Sequence, residues 1–331
     1  MNLLTGATGL LGSHIAARLR ADGQDVRALV RHGSDTRFLD TLAVEKAVGD
    51  VTDPASIAAA MDGVRIVYHA AARVGDWGPW REFVGVTIEG TRNMIAAAAR
   101  AGVQRFLHVS SISAYGHPDG KGLVLDESAP LGQDLHRWSY YSRAKVEAEK
   151  IVGAAHEKGD VPVTVIRPSW LYGERDRASM PRLIRAIAAG KGKLIGDGAN
   201  RLTLSYAGNE ADGCILAANA PKAAGQAYNL CNDGEITQEQ YINRIAGLIG
   251  AEPVTRKVPY KVAYAAAFLM ELFGHVLRKK KPPLVTRYSV WLIGRQVFFS
   301  SEKIHRELGY TPAVSYEEGI PRAVRWTLEN S

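Results

Sequence analysis

The sequence predicts an α/β fold: a doubly wound parallel sheet followed by a smaller, mostly helical C-terminal region. Two observations indicate this fold class. Short apolar runs alternate with alanine-rich helical patterns in the first half of the chain, which is typical of parallel strands joined by crossover helices. A glycine-rich segment also follows the first apolar run directly. The length of 331 residues accommodates one large domain or two small ones.

The predicted strands of the sheet are, in chain order, LLT, VRALV, RIVYHAA, RFLHVSS and VTVIRP. Helical patterns separate these strands, and the two longest cover Glu82–Arg100 and Tyr141–Lys158. After Pro168 the alternation loosens and helical patterns dominate. Two further strands are predicted there, at QAYNLC and around Val297–Ser300.

These patterns divide the chain into two parts. We assign residues 1–167 to the sheet domain, with a returning segment near 201–220, and residues 168–331 to a region that binds substrate. Segments of the second part are expected to cross back to the first, so one clean boundary is not expected.

Composition and charge exclude several classes of protein. The chain has two cysteines, Cys214 and Cys231, without zinc-like spacing, so we predict no metal site and a reducing, cytoplasmic compartment. No basic stretch followed by an apolar one opens the sequence, so a secretory signal is not expected. The net charge of +7 comes without a nucleic-acid-binding motif, and we expect no nucleic-acid partner.

The glycine-rich segment has the features of a dinucleotide-binding turn. Gly6 permits a tight turn between strand and helix, Gly9 lets the backbone approach a pyrophosphate, and Gly12 lets the helix pack closely on the sheet. The spacing is G-x-x-G-x-x-G, and the neighbouring residues are candidate contacts with the cofactor: Thr8, Leu10 and Leu11.

With its TGATG opening, this segment resembles the extended branch of the short-chain dehydrogenase/reductase superfamily, the NAD-dependent epimerase/dehydratase superfamily. The resemblance implies a Rossmann-type sheet that binds NAD(P)(H). It also implies that Asp50 and Val51 contact the adenine and that Ala70 and Ala71 lie beneath the cofactor. The segment R-P-x-x-x-Y-G implies that the backbone at Pro168 and Ser169 passes the nicotinamide, with Pro168 fixing a local turn.

The residues after the second strand favour NADP(H) over NAD(H). In NAD-preferring proteins of this fold an acidic residue near this point bonds the ribose 2′-hydroxyl. Here Arg31 follows Val30 directly, and a guanidinium suits a 2′-phosphate. Asp35 is present but falls later in the loop.

Tyr141 and Lys145 are the candidate catalytic pair. They lie four residues apart in a helical pattern and therefore share a helix face. A phenol has a pKa near ~10, and a nearby ammonium is expected to favour its ionised form. The resemblance places the catalytic hydroxyl at Ser111, with Ser113 as the alternative and Ser110 as the structural serine of the strand end.

One departure from the family pattern concerns the segment that usually reads N-V-x-G-T. This chain has Thr87 where the family has the asparagine that supports a proton relay. A threonine hydroxyl bonds with different geometry, so no catalytic role is assigned to Thr87.

Several segments resemble the 3β-hydroxysteroid dehydrogenase and dihydroflavonol reductase subgroup, among them Gly75-Asp76-Trp77 and Phe299-Ser300-Ser301-Glu302-Lys303. The resemblance implies a ketone or secondary alcohol on a bulky apolar substrate that is sterol-, flavonoid- or lipid-like. Candidate residues of the substrate pocket are Trp77, Ser113, Tyr172 and Arg201. Trp77 has an equally weighted alternative as an anchor of its loop.

Three functions remain open, and an NAD(P)(H)-dependent oxidoreductase is the leading hypothesis. A nucleotide-sugar epimerase of the same fold is the second, because Arg201 could hold a diphosphate. A non-catalytic cofactor-binding scaffold is the third, and the intact Tyr141 and Lys145 argue against it. Dehydration is disfavoured because Ile112 and Ser113 stand where dehydratases have Asp-Glu.

The apolar segment Val258–Leu277 precedes the basic run RKKKPP. Lys261 and Glu271 interrupt it, so a core or lid helix is the first interpretation and a spanning helix is not expected. An interfacial helix in peripheral contact with a membrane is the alternative. The resemblance also implies a homodimer formed through the Tyr141 helix and its neighbour.

Overall fold

The computed structural model describes residues 1–120 and 122–330. Its centre is a seven-stranded sheet in which every pair of neighbouring strands is parallel. The strands of this sheet are β1 (Asn2–Thr5), β2 (Val26–Val30), β3 (Glu45–Val48), β4 (Ile66–His69), β5 (Arg105–Val109), β7 (Val163–Pro168) and β11 (Ala227–Leu230). Their order across the sheet is β11-β7-β5-β4-β1-β2-β3, which confirms the predicted fold class.

Six short strands form parallel pairs outside the central sheet: β6 (Leu123–Leu125) with β13 (Val297–Phe299), β8 (Trp170–Tyr172) with β10 (Leu204–Tyr206), and β9 (Leu194–Ile195) with β12 (Lys257–Val258). The run around Val297–Ser300 is thus a strand, but it pairs with β6 and not with the central sheet.

The helices are α1 (Leu10–Ala21), α2 (Arg37–Asp40), α3 (Pro54–Ala60), α4 (Trp80–Phe83), α5 (Gly90–Ala101), α6 (Tyr140–Glu157), α7 (Ser179–Ala188), α8 (Ala207–Asn219), α9 (Gln238–Leu248), α10 (Tyr260–Val276), α11 (Arg287–Gly294), α12 (Glu302–Leu308) and α13 (Tyr316–Glu329). A π-helical turn at Val84–Glu89 joins α4 to α5, and a 3₁₀ turn at Ile112–Tyr115 follows β5. In the described residues no helix is long and apolar enough to cross a bilayer.

Helices cover both faces of the sheet, because successive side chains of a buried strand point to opposite sides. Leu4 of β1 belongs to the core cluster shared with α1 and α8, whereas Leu3 belongs to the cluster shared with α3 and α5. Both side chains are fully buried. Because all strands of the sheet run parallel, their carboxyl ends meet at one edge, where ligands of open α/β sheets bind.

Segments that follow residue 168 complete the central sheet and one of the helix layers that cover it. Helix α8 packs against α1 and contributes Ala211, Cys214 and Ile215 to their shared core. Strand β11 pairs with β7 and forms one edge of the sheet. A separate core lies beneath α7, α9 and α13, where Ile184, Ile245 and Ile320 are buried.

Candidate active site

The glycine-rich turn forms a close-fitting cradle at the carboxyl edge of the sheet. Gly6 has a φ of +70°, and a Cβ there would lie 2.8 Å from the carbonyl carbon of Ala70 and 2.9 Å from the amide nitrogen of Ala71. The Thr5 hydroxyl accepts a hydrogen bond from the Ala71 amide at 3.1 Å. A Cβ on Gly12 would overlap the Gly6 carbonyl oxygen. The turn and the Ala70–Ala71 backbone therefore form one surface without intervening side chains.

Helix α1 begins at this cradle with its amides available. Its N-cap residue is Gly9, and no side chain caps the helix. The first N–H groups of a helix lack partners within it, so those of Leu10, Leu11 and Gly12 are suited to an anion. Thr8 is half-buried and Gly9 exposed at the mouth of the cradle. These residues fit the pyrophosphate of a dinucleotide, with its charge next to the helix N-terminus.

Asp50 and Val51 follow β3, two strands away in the sheet. Oδ1 of Asp50 accepts hydrogen bonds from the Thr52 amide and hydroxyl, both at 2.8 Å. Oδ2 has no hydrogen-bond partner among residues 1–120 and 122–330. Val51 is buried, and its carbonyl accepts from Asn93. The free oxygen of Asp50 is suited to the adenine amino group.

Arginines gather at the end of β2, where the adenosine ribose of a dinucleotide lies in this fold. Arg31 is exposed and its guanidinium has no partner in the described part of the chain. Arg37 pairs with Asp35 at 2.8 Å, and Arg177 pairs with the same carboxylate at 3.0 Å. The hydrogen bond from Arg37 is the main reason that the pKa of Asp35 lies well below its usual range. Asp35 is thus already engaged by two guanidinium groups.

Tyr141 and Ser111 are neighbours in the site. Tyr141 lies in the first turn of α6, and Ser111 is close enough to lower the pKa of its phenol. The Ser111 hydroxyl also accepts from the Ser113 amide at 3.1 Å. Burial raises the pKa of Tyr141 to about 12, and the nearby Ser111 lowers it only in part. Lost hydration therefore dominates the pKa of the phenol in the protein by itself, and the effect expected of a nearby ammonium stays a prediction for the complex with cofactor.

Lys145 is buried beside this pair. Its Nζ donates to the Val109 carbonyl at 2.7 Å and lies 5.9 Å from the centre of the Tyr141 ring. Burial lowers the pKa of Lys145 to about 8, partly opposed by the charge of Glu149. The ammonium form therefore still predominates at neutral pH.

A buried ionic network supports the end of β5. Arg167 binds Glu149 with Nη2 to Oε2 at 2.7 Å, and the Ser110 hydroxyl donates to the same carboxylate. Arg167 also donates to the Tyr115 hydroxyl at 2.8 Å. These bonds leave Ser110 engaged away from Tyr141, while the neighbouring Ser111 faces it.

Thr87 lies in the π-helical turn and has a structural contact. Its hydroxyl accepts from the Arg73 amide at 3.0 Å, which ties the turn to the loop that follows β4. Thr87 is buried. π-turns inside helices occur often at functional sites, and this one packs against α6, the helix that carries Tyr141 and Lys145.

Aromatic residues that the sequence did not single out border the catalytic phenol. Burial raises the pKa of Tyr288, and the charge of an ionised Tyr141 raises it further, so the two phenols interact electrostatically. His117 stacks on His136 with ring centres 4.0 Å apart and meets Tyr288 edge-on. Burial lowers the pKa of His117 to about 3 and of His136 to about 4, so both rings are neutral at physiological pH.

Two buried polar atoms of this region, Ser113 Oγ and His117 Nε2, have no hydrogen-bond partner in the described residues. Buried polar atoms are normally satisfied, so these atoms are suited to a bound ligand. No spacing in the sequence links His117, His136 and Tyr288, because they come from three separate segments.

Two predicted pocket residues occupy other positions. Tyr172 is wrong as a pocket residue: it is fully buried among Tyr206, Tyr241 and Tyr316, because β8 turns its side chain into the second core. Arg201 is partly exposed and pairs with Glu235 at the surface, so its charge is already matched.

Trp77 is placed as a loop anchor. Its ring contacts His275 of α10 at 4.3 Å between ring centres, and its Nε1 donates to the Lys279 carbonyl at 3.0 Å.

The expected turn at Pro168 is also wrong. Pro168 is the last residue of β7 and pairs with Leu230. The Ser169 amide donates to the Leu230 carbonyl at 3.0 Å and its hydroxyl bonds that of Ser205. The strand reaches Pro168 because β11 pairs with its last four residues, Val165–Pro168.

Comparison with known proteins finds relatives that cover nearly the whole chain. The chain is 32% identical to a 2-alkyl-3-oxoalkanoate reductase of Stenotrophomonas maltophilia, with 97% of each chain covered. It is 30% identical to a mouse sterol-4-alpha-carboxylate 3-dehydrogenase (decarboxylating), over 97% of this chain and 89% of the relative. A crystal structure described as gox2253 superposes with a TM-score of 0.83 at 29% identity, covering 100% of this chain and 98% of the other.

A family model also matches residues 2–231, described as the NAD dependent epimerase/dehydratase family. This range contains the glycine cradle, Ser111, Tyr141 and Lys145. The chain belongs to the NAD dependent epimerase/dehydratase family.

Proposed function

We propose that the protein is an NADPH-dependent ketoreductase that converts the ketone of a bulky apolar molecule into a secondary alcohol. The observation that carries this proposal is the position of Tyr141 in the first turn of α6, next to Ser111, with the buried ammonium of Lys145 5.9 Å from the centre of its ring. A pKa of about 12 keeps the phenol protonated at neutral pH. A group in that state can donate a proton to a carbonyl oxygen, which is the requirement of reduction.

Each catalytic side chain has a defined task. A reduced nicotinamide bound at the cradle would supply the hydride. Tyr141 donates its proton to the substrate oxygen, and the Ser111 hydroxyl stabilises the negative charge that develops there. The ammonium of Lys145 stabilises the phenolate left on Tyr141 and would hold the nicotinamide ribose.

The surroundings of the site favour an apolar ketone over a nucleotide sugar. His117 and His136 are neutral, and Arg287, which lies near them, is paired with Glu271 at 2.7 Å. A sugar diphosphate requires unpaired cations, and Arg201 is already paired with Glu235. The two named relatives act, by their names, on a 3-oxoalkanoate and on a sterol carboxylate. Both names support a 3-oxo or 3-hydroxy acid with a large hydrocarbon part.

Preference for NADPH is the second part of the proposal. Arg31 offers an unpaired guanidinium at the end of β2, and Asp35 is held by Arg37 and Arg177. A carboxylate engaged in this way is a poor acceptor for a ribose 2′-hydroxyl. The positive charge of the arginines beside Asp35 supports binding of a ribose 2′-phosphate.

The test is a substrate panel assayed with NADPH and with NADH. The panel contains 2-alkyl-3-oxo acids, 3-oxosterols, short 3-oxo acids and a UDP-sugar. We expect the largest kcat/KM for a ketone with long alkyl chains and NADPH. Conversion of the UDP-sugar alone, without consumption of external NADPH, would establish the epimerase in its place.

A further inference from the structure

Helix α10 has the reverse of the polarity normal for a helix at a protein surface. Its inward side carries Glu271, which is buried and pairs with Arg287. Its outward side carries Val262, Leu269, Phe273 and Val276, with exposed fractions of 57%, 50%, 59% and 69%. Spacings of seven, four and three residues place these side chains in one stripe along the helix.

Exposed apolar side chains concentrate around this stripe. In the described part of the chain thirteen large hydrophobic residues are exposed, and eight of them lie between residues 262 and 284. The other four of these eight are Phe268, Met270, Leu277 and Leu284. A contiguous apolar patch of this kind marks an interaction surface rather than ordinary solvent-exposed protein.

A block of positive charge adjoins the C-terminal end of the stripe. Residues Arg278–Lys281 are all exposed, and none forms an ion pair with residues 1–120 or 122–330. The acidic residue of α10, Glu271, is turned inward. The outward surface therefore combines hydrocarbon with unpaired cations, which complements a bilayer that contains anionic headgroups.

The inward side of α10 lies over the loop that leads to the catalytic tyrosine. Tyr264 bonds His136 Nε2 at 2.8 Å, and His275 packs on Trp138 with ring centres 4.4 Å apart. Both His136 and Trp138 precede Tyr141 by a few residues. A surface that contacts lipid through α10 would therefore lie next to the entrance of the site.

We propose that α10 and the basic residues Arg278–Lys281 form a docking surface for an anionic lipid bilayer. The apolar stripe inserts among the acyl chains near the headgroups, and the cations bind lipid phosphates. The role of this surface in delivering an apolar ketone to Tyr141 rests on the proposed function, whereas the docking itself does not.

The experiment is co-sedimentation of the full chain with vesicles of phosphatidylcholine, with or without phosphatidylglycerol. We expect binding to the mixed vesicles that weakens as salt rises. The double variant Leu269→Glu/Phe273→Glu should lose this binding. The triple variant Lys279→Gln/Lys280→Gln/Lys281→Gln should weaken it on the order of a hundredfold, because each cation contributes about 1 kcal/mol near an anionic surface.

A matched control places the same charges on exposed leucines elsewhere, Leu248→Glu/Leu328→Glu on α9 and α13. This variant should bind like the wild type, and all variants should keep the thermal transition of the wild type. Absence of binding to mixed vesicles, or equal binding by the α10 variants, would overturn the proposal. So would a lipid-free dimer in sedimentation velocity that Leu269→Glu/Phe273→Glu dissociates, because a second copy would then cover the stripe.

Activity assays distinguish a failure of the docking proposal from a failure of the proposed function. Vesicles with phosphatidylglycerol should raise turnover of a long-chain ketone dissolved in them for the wild type but not for Leu269→Glu/Phe273→Glu. A short, water-soluble ketone should be reduced equally by both proteins. If neither ketone is reduced, the proposed function fails while the vesicle-binding result still decides on docking.

Discussion

The phenolic hydroxyl of Tyr141 is the atom on which the proposed reaction depends. Tyr141→Phe should lower kcat by about a hundredfold to ten-thousandfold, because general acid catalysis contributes on that scale, and should leave NADPH binding intact. Single-turnover rates and fluorescence titration measure the two effects. Tyr140→Phe is the control, since the Tyr140 ring packs against Trp80 and Phe83. Turnover near the wild-type rate in Tyr141→Phe would exclude this mechanism.

Protonation of Lys145 should set the alkaline limit of the reaction. Burial lowers the pKa of its ammonium to about 8, so the charge is present below that pH and is lost above it. We expect kcat/KM for ketone reduction to fall as pH rises through about 8. Lys145→Arg retains a charge throughout this range, and its residual activity should show no such fall. An unchanged alkaline limb in that variant would assign the titration to another group.

Arg31 should determine the preference between the two nicotinamide cofactors. Arg31→Asp replaces a cation with a group that accepts from a ribose hydroxyl, so KM for NADPH should rise at least tenfold, at ~1.4 kcal/mol per factor of ten, while KM for NADH falls or stays. Arg100→Asp, at the exposed end of α5, makes the same charge change elsewhere and should leave the ratio unaltered. An unaltered ratio in Arg31→Asp would refute the proposed contact.

Site residues that are brought together within one helix or one turn could be predicted from the sequence. The glycines of the cradle and the Tyr141–Lys145 pair lie within single elements, where helix and turn geometry is fixed. Arg177, His117 and Tyr288 could not be found in this way, because they reach the site from segments far apart in the chain. Tyr172 was misplaced for a related reason: the direction of its side chain depends on the pairing of β8 with β10.

At the scale of single elements, the close contact of α1 with the turn after β1 leaves no room for an added methyl group at Gly12. Gly12→Ala would bring a methyl group onto the Gly6 carbonyl, so α1 must move away from the cradle. We expect a lower Tm and loss of NADPH binding. Gly153→Ala on α6, where no atom lies within 4 Å of the added Cβ, should be neutral or stabilising. Similar behaviour of the two variants would show that the cradle is not tightly packed.

The elements that the sequence missed are those whose partners decide their conformation. Strand β3 reads EKAV with three residues exposed, so it lacks an apolar pattern and forms because β2 offers a free edge. The predicted helix Glu82–Arg100 is interrupted by the π-turn at Val84–Glu89, where Thr87 bonds the Arg73 amide. Buried strands and amphipathic helices, in contrast, show their periodicity in the sequence itself.

At the scale of the whole molecule, the two halves of the chain are folded through each other. The core around α1 includes Cys214 and Ile215 of α8 and Tyr228 of β11, and Ile304 and Tyr310 pack there as well. The buried Tyr115 hydroxyl also donates to Asn229 at 2.8 Å. The residues that precede Pro168 therefore do not by themselves complete the sheet or the core around α1.

This interleaving predicts that residues 1–167 do not fold alone. Without α8 and β11, one side of α1 and one edge of β7 would be exposed to water, and burial of such apolar surface is worth about 25 cal/mol per Å². The fragment should show no cooperative thermal transition by circular dichroism and should bind no NADPH. Co-expression with residues 168–331 should restore both properties, because the missing core residues are then supplied in trans. A cooperative transition of fragment 1–167 by itself would mean that the α1 core is stable without α8, and the contacts of Cys214 and Ile215 would then contribute little to stability.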